Sequence, residues 1–516
     1  GQGGLLTERD REWFQKEKQA LSPGAKEKTY IQKFYLYMNL TKPEEFLHIS
    51  YSKVSSDGKT LRPAYLVWDL KKLFPKLVTE EEALLMTQRE LTPGEGLEFV
   101  IRGVRDRYLG VDESWKELYT WYRQNEGQKV DRILDAGFFK KKPDALTGEE
   151  AAELYGEKKQ FSVTRMERFS ACAYAHFLTY GLHLSDRERY EFEAMDLGNI
   201  AHQSMERFAR KAQEKRMPWP KLEEVQRDAM IEERVEESIK DYGNTVLYST
   251  ARNEYMIVRI KQLIRRSVWA LTRQMEKGDF EPSGYEMNFG SGKIDRVDTC
   301  EDEDVVYVKV TDYKTGMKSF DIVALYHGLQ MQLPVYLNAA LELEERRASG
   351  KTVEPAGIFY YRIKDPIVDR EKDDHALEEK ILKELRLDGM INAKEEVIEH
   401  LEHQLSGTSV LNPIGKNKDG SLNRYSKVLP PEAFAAMLSY TKKKEAQVKR
   451  QIYAGEVQAN PYELNGSTGC DYCAYRDICG FDPRLDGYAY RSLEKYSKEE
   501  VIRRMEEEIE NREEPS

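Results

Sequence analysis

The ten residues Val305-Val-Tyr-Val-Lys-Val-Thr-Asp-Tyr-Lys314 hold the sharpest chemical signal in the chain. Side chains alternate along a strand, so Val306, Val308, Val310, Asp312 and Lys314 share one face, apolar at its start and ending in an acid and a base. At ~3.3 Å per residue the Cα atoms of Asp312 and Lys314 lie roughly 6–7 Å apart. A carboxylate holding a metal and an ammonium reaching the same scissile group need about that separation. Asp295, 17 residues upstream in Ile294-Asp-Arg-Val-Asp298, brings a second carboxylate across one short turn. Two hard oxygen ligands on adjacent strands favour Mg²⁺ or Mn²⁺ over zinc. Asp298 alternates to the opposite face and is left out. Asp-x-Lys triplets are common as surface pairs on ordinary hairpins, so the reading needs context.

Context comes from four further positions. His202 sits in the helical run Leu197–Phe208, and Glu286 lies in the strand-like segment Tyr285–Phe289. Gln332 and Tyr336 stand at i and i+4 on one helical face. None is unusual alone. A second group is Cys470-Asp-Tyr-Cys473 with Cys479, a C-x2-C-x5-C pattern, and Cys172 lies 298 residues before it. Four cysteines are what an all-thiolate zinc site or a [4Fe–4S] cluster requires. Spacing leaves the two near even. Cys300 is left over and reads as structural.

The elements that must position these groups read as α/β. Tyr285–Phe289, Lys293–Thr299 and Val305–Lys314 are three expected strands, the last two joined by the acidic turn Glu301–Asp304. Residues 322–347 return to helical spacing, and Ala356–Ile363 is a fourth strand. An insertion follows in which Gly415–Asn423 is expected to be a mobile loop, and then a helix over Pro431–Tyr453 and an acidic helical tail. Upstream, an acidic helix is expected to start near Thr7, a strand over Glu45–Tyr51, a turn at Ser55–Gly58 and a linker at Lys140–Asp144. Helix, three antiparallel strands, helix, strand implies a small mixed sheet.

The chain has 516 residues, about three domains' worth. It is 40% hydrophobic and 33% charged, too apolar for disorder. No segment approaches the ~20 apolar residues of a membrane span. Gly1–Gly4 carries no leader-like segment and no initiator Met precedes it, so the sequence reads as a piece of a longer polypeptide. A net charge of -11 excludes a uniformly basic nucleic-acid coat but not a local basic channel. Five cysteines are too few for a disulfide scaffold, and a reducing cytoplasm is the expected compartment.

The order His202, Glu286, Asp295, Asp312-x-Lys314, Gln332-x3-Tyr336 resembles that of the RecB-type nucleases of the restriction-endonuclease-like PD-(D/E)xK superfamily, over residues 161–480. The resemblance implies that His202, Asp295, Asp312 and the Tyr313 carbonyl hold the metal. It implies that Lys314 orients the attacking water, that Glu286 is a less fixed acidic position, and that Gln332 and Tyr336 position DNA and the lysine. It favours [4Fe–4S] for Cys172, Cys470, Cys473 and Cys479, since iron–sulfur members use one cysteine before the core and three after it; Ala173 stands where a proline commonly follows the first.

Phe34–Tyr51 resembles the last motif of a superfamily-1 helicase, with Thr41-Lys42-Pro43 where an arginine normally follows the threonine. The chain has no G-x4-G-K-[ST]. A worn helicase end over 1–70, a helical linker region over 71–160 and an iron–sulfur nuclease over 161–516 together resemble the C-terminal half of the AddB family. That resemblance implies a DNA exonuclease and endonuclease in a heterodimer with an ATP-driven AddA partner. It implies cutting of the 5′-ended strand at double-strand breaks in recombinational repair. Arg259, Lys261, Arg265 and Arg266 are candidate DNA contacts, whereas Lys442–Lys444 reads as a solvated face. The alternative is a non-catalytic subunit that only grips DNA and carries a structural four-cysteine zinc site.

Overall fold

In this computed structural model the described residues are 8–510 apart from 18, 20, 56–58, 81–91, 107–113, 139–144, 157–160, 186–191, 193, 243–244, 249, 291, 349, 372 and 486. Thr7, most of the expected turn at 55–58 and the expected linker at 140–144 lie outside them. The chain divides into two compact units, Gly1–Gly137 and Phe138–Ser516. Among the described residues no helix is long and apolar enough to cross a membrane.

The first unit is helical. Pro93–Asp106, Trp115–Asn125 and Gly127–Gly137 enclose a small core of Val100, Val104, Tyr122 and Val130. Gly103 is required there, because a Cβ would stand 2.1 Å from the Trp115 ring. The helix Ala25–Leu40 exposes Tyr30, Phe34, Tyr35 and Tyr37. The strand expected over Glu45–Tyr51 does not form: the segment is exposed and pairs with no ladder, and β-prone residues favour a strand only where a partner and a packed face are available.

The second unit is built on a six-stranded sheet in sequential order, β1 (Glu281–Asn288), β2 (Lys293–Asp302), β3 (Val305–Lys314), β4 (Thr352–Arg362), β5 (Asp388–Asn392) and β6 (Val428–Leu429). Strands β1, β2 and β3 form an antiparallel meander; β3–β4 and β5–β6 are parallel, and β4–β5 is antiparallel. Strand β3 is central and buried on both faces. That is why its sequence reads as an almost unbroken apolar run until the polar end.

Helices cover both faces. On one lie α1 (Val163–Ala171), α5 (Gln332–Glu345), α7 (Pro431–Tyr453) and α8 (Lys498–Glu510), which share one apolar core with Val306, Val308 and Val310. On the other lie α2 (Ala194–Glu214), α3 (Glu224–Asp241), α4 (Ala251–Met275) and α6 (Glu395–Leu401), which meet Tyr307, Tyr313 and Phe359. Helix α5 is the crossover that lets β4 run parallel to β3. Its Pro334 falls in the first turn, where a missing N–H costs no helical hydrogen bond. Strands β5 and β6 lie inside what the sequence reads as an insertion. Gly415–Asn423, expected as a mobile loop, is tied by bridges Thr408–Gly415 and Lys416–Leu422.

Candidate active site

Strand register sets the site. Tyr285 pairs with Arg296 and Met287 with Ile294, so Glu286 lies across from Asp295; Arg296 pairs with Thr311, so the next step places Asp295 beside Asp312. Three carboxylates thus form a row across three strands. Glu286 sits at φ 46°, the left-handed region that a non-glycine residue enters at a cost. Helix α2 brings His202 over the row, with its Nδ1 3.3 Å from Asp295 Oδ2. Ligand atoms of His202, Glu286 and Asp295 all lie within 4.8 Å of one another.

The bonds within the row fix its side chains. Asp295 Oδ2 accepts from the Tyr313 amide at 2.7 Å, and the Tyr313 carbonyl is turned to the His202 imidazole. Asp312 is buried; its Oδ1 accepts from Gln332 Nε2 at 2.9 Å, and its Oδ2 meets Lys314 Nζ at 2.5 Å. Gln332 Nε2 also reaches Tyr336 Oη at 3.0 Å, so the two α5 residues act as one bracket on Asp312. Lys293 stands 3.7 Å from Glu286.

Electrostatics follow from packing acids together. Burial, and then the neighbouring Asp312, raise the Asp295 carboxyl well above the ordinary range. Burial and Glu206 raise Glu286, and burial lowers His202. A cluster of this kind holds a divalent cation well, because the ion relieves repulsion that the protein alone leaves uncompensated. The residues fit a hard cation with oxygen ligands and one imidazole. Asp298 points the other way, into a buried network with Arg296 Nε at 2.6 Å and Lys309 Nζ at 3.2 Å. Burial alone raises its carboxyl, but those two cations override it and hold it low.

One residue escaped the sequence. Glu167 on α1 accepts from the amides of Met331 and Gln332 at 2.7 and 3.0 Å, capping α5 at the turn that presents Gln332. Its only sequence signal is a place five residues before Cys172.

The basic candidates on α4 are already paired with carboxylates outside the row. Lys261 meets Glu232 and Glu236, both at 2.8 Å; Arg265 meets Glu232 and Asp228; Arg259 and Arg266 meet Asp365. Lys442 pairs with Glu342, and Lys443 donates to the Glu508 carbonyl.

The four cysteines converge on one place. Cys172 and Tyr475 are buried together, and Cys473 packs against them. Burial raises the Cys470 thiol, and Cys172, Cys473 and Cys479 beside it add to that. Amide donors of Ala175, Asn460 and Tyr174 are aimed at Cys172 sulfur, though burial outweighs them. The Phe481 amide donates to Cys479 Sγ at 3.4 Å. Cys300 lies apart, at the far end of β2.

A family description, the PD-(D/E)XK nuclease superfamily, matches residues 160–480 and so takes in the whole row. The chain belongs to the PD-(D/E)XK nuclease superfamily. It is 37% identical to a Lachnoclostridium phytofermentans protein named as a subunit of an ATP-dependent helicase/deoxyribonuclease, over 97% of this chain and 45% of that protein. Proteins of the same name from Alkaliphilus oremlandii and Clostridium acetobutylicum are 31% and 29% identical, over 99% and 98% of this chain and 47% of each of theirs. The chain therefore spans less than half the length of these relatives. As a PD-(D/E)XK nuclease it carries the α/β fold expected, with mixed-sheet strands and helices on both faces.

Proposed function

We propose that this chain is the nuclease-bearing half of an AddB-type subunit, a Mg²⁺-dependent deoxyribonuclease paired with an AddA helicase–nuclease in the bacterial cytoplasm. It cuts the 5′-ended strand while the complex resects double-strand breaks for recombinational repair. The observation that carries the reading is the cross-strand row Glu286, Asp295 and Asp312, closed by His202 on one side and Lys314 on the other. The relatives' name, which makes each of them one subunit of a helicase/deoxyribonuclease, supports the assembly.

In this reading His202, Asp295, Asp312 and the Tyr313 carbonyl hold a Mg²⁺ ion, which supplies Lewis-acid stabilisation of charge on the phosphate. Lys314 orients the attacking water and offsets negative charge on the phosphate oxygens. Gln332 keeps Asp312 aligned and Tyr336 steadies Gln332, with Glu167 fixing the turn behind them. Glu286 tunes the row from its edge. Arg259, Arg265 and Arg266 exchange their carboxylate partners for DNA phosphates, and Lys261, held by two glutamates, remains a structural tie.

Cys172, Cys470, Cys473 and Cys479 hold a [4Fe–4S] cluster that ties the start of the nuclease domain to its end. An all-thiolate donor set supports this, as do the N–H groups directed at Cys172 and Cys479 sulfurs. Residues 1–70 are the end of an inactivated helicase-like domain that hydrolyses no ATP, and 71–160 link it to the nuclease.

The test is cleavage of duplex DNA labelled on one strand at a time, by the purified complex with Mg²⁺ and with a chelator. The reading expects loss of the 5′-ended strand with Mg²⁺ alone. Cleavage that persists in chelator, or that spares that strand, contradicts it.

A further inference from the structure

A second cluster of ligating side chains lies where the leftover cysteine sits. Asp279 Oδ2 contacts His400 Nδ1 at 2.8 Å and His403 Nε2 at 2.7 Å. Ligand atoms of Asp279, Cys300 and His400 lie within 4.8 Å of one another. Asp302 Oδ2 stands 3.7 Å from the other nitrogen of His400. The cluster is at the opposite end of β2 from Asp295, five residues and so about 16 Å along the strand. It shares no residue with the catalytic row or the four-cysteine site.

The scaffold is built rather than accidental. The Asp279 amide donates to the His400 carbonyl and the His403 amide to the Lys277 carbonyl, both at 2.8 Å, so two remote segments are zipped together. Gly278 makes that approach possible: a Cβ there would stand 2.4 Å from the His400 carbonyl oxygen and 2.6 Å from that of Leu401. Cys300 closes the site from beneath, buried at 4% exposure, while His403 leaves it open to solvent at 46%.

We propose that Asp279, Cys300, His400 and His403 form a structural zinc site. One thiolate, one carboxylate and two neutral imidazoles are donors that a borderline-soft cation prefers, and their charges balance Zn²⁺. Bonds of about 2.0–2.3 Å put tetrahedral ligand atoms roughly 3.3–3.7 Å apart. Asp279, Cys300 and His400 therefore need only a small opening around Asp279 and a small closing toward Cys300, while His403, now 2.7 Å from Asp279 Oδ2 and half exposed, swings in as the fourth ligand. Asp302 plays the outer part, orienting His400 through its second nitrogen. Burial and the nearby carboxylates push the Cys300 thiol up to about 11, so the free cysteine is inert and metal binding has to displace its proton. The ion pins the 400–404 turn to the first two strands, at the end of the sheet away from DNA cleavage.

The experiment measures zinc in the full chain after loading with Zn²⁺ and dialysis against a weak chelator. Wild type, Cys300→Ser, His403→Ala and Cys473→Ser are compared, with X-ray absorption at the zinc edge on wild type. The proposal expects one zinc per chain in wild type and Cys473→Ser, and about a tenfold or greater loss in Cys300→Ser and His403→Ala. The absorption spectrum should show one sulfur among nitrogen and oxygen neighbours. His403 is half exposed, so its truncation leaves no buried gap. Zinc that survives in Cys300→Ser and His403→Ala, a spectrum with four sulfurs, or a wild type that retains no zinc each overturns it.

Discussion

Asp312 is where the chemistry and the packing of this protein meet. It is buried, yet two groups already meet its oxygens, Gln332 at 2.9 Å and Lys314 at 2.5 Å. Gln332→Ala removes one hydrogen bond and the bracket to Tyr336. A net bond of about 1 kcal/mol makes the expected loss in cleavage rate about tenfold or less, whereas Lys314→Gln should cost about 10²–10³-fold. A steady-state assay on labelled duplex checks the order; equal losses for both would mean that Gln332 acts directly on DNA.

A second prediction at this scale concerns acid. His176 is fully buried, and Arg165 Nε donates to its Nε2 at 3.1 Å, so the folded chain keeps it neutral with its pKa lowered to about 3. Below pH 6.5 the unfolded chain takes up a proton that the folded chain refuses, so stability falls as pH drops from about 6.5 toward 3. Between pH 7.5 and 5 this residue should remove about 2 kcal/mol. His176→Gln, which can still accept from Arg165, should lose that slope in urea unfolding; an unchanged slope would show that His176 is not its source. The order of the carboxylates, the lysine and the cysteines along the chain, through its resemblance to a family, pointed to the groups that the fold brings together; spacing alone left Asp-x-Lys common and the cysteines open between zinc and iron. Glu167 was not legible, because its role is to cap a helix 164 residues away. Nor was the left-handed backbone at Glu286 within β1, which no residue type announces.

At the scale of elements, hydrophobic runs found the central strand and helix α7 with their observed limits, since both are long and strongly patterned. They missed β5, Asp388-Gly-Met-Ile-Asn392, because five residues with a glycine carry no period. That glycine is needed where the strand presses on β4: a Cβ would stand 1.8 Å from the Ile358 carbonyl oxygen. The opposite error, a strand expected at Glu45–Tyr51, came from composition without a partner. The elements also revise how far the four-cysteine tie reaches. Helix α8 buries Val501 and Met505 in the main core, and Arg491 donates to the Ser170 carbonyl, so the tail is held without the cysteines. Cys473→Ser should therefore bleach the protein and open residues 465–490 to protease while 498–510 stays protected. Proteolysis read by mass spectrometry tests this, and release of α8 would show that the tie carries the whole C-terminal segment.

On the scale of the whole molecule, the two units differ in how much they bury. The nuclease unit has continuous cores on both faces of its sheet, whereas among the described residues the first unit gathers only a small buried cluster, Val100, Val104, Tyr122 and Val130, and leaves the aromatic residues of Ala25–Leu40 exposed. The sequence showed the superfamily but not how the first unit is used, because its resemblance rests on one worn motif with Lys42 in place of arginine. A lysine does not replace a bidentate arginine on phosphate. DNA-stimulated ATP hydrolysis by this chain without a partner should accordingly be undetectable, and a measurable rate would refute the reading of residues 1–70.

The central claim is that the row across β1, β2 and β3 is a nuclease centre that depends on a divalent ion. Its most direct measurement is the rate of phosphodiester cleavage of a labelled duplex by Asp312→Asn beside wild type, at saturating Mg²⁺ and with the fold and cluster colour of both checked. Losing the carboxylate that meets both Gln332 and Lys314 should slow cleavage by about 10³-fold or more while colour and unfolding midpoint stay as in wild type. Cleavage by Asp312→Asn at the wild-type rate would contradict the account.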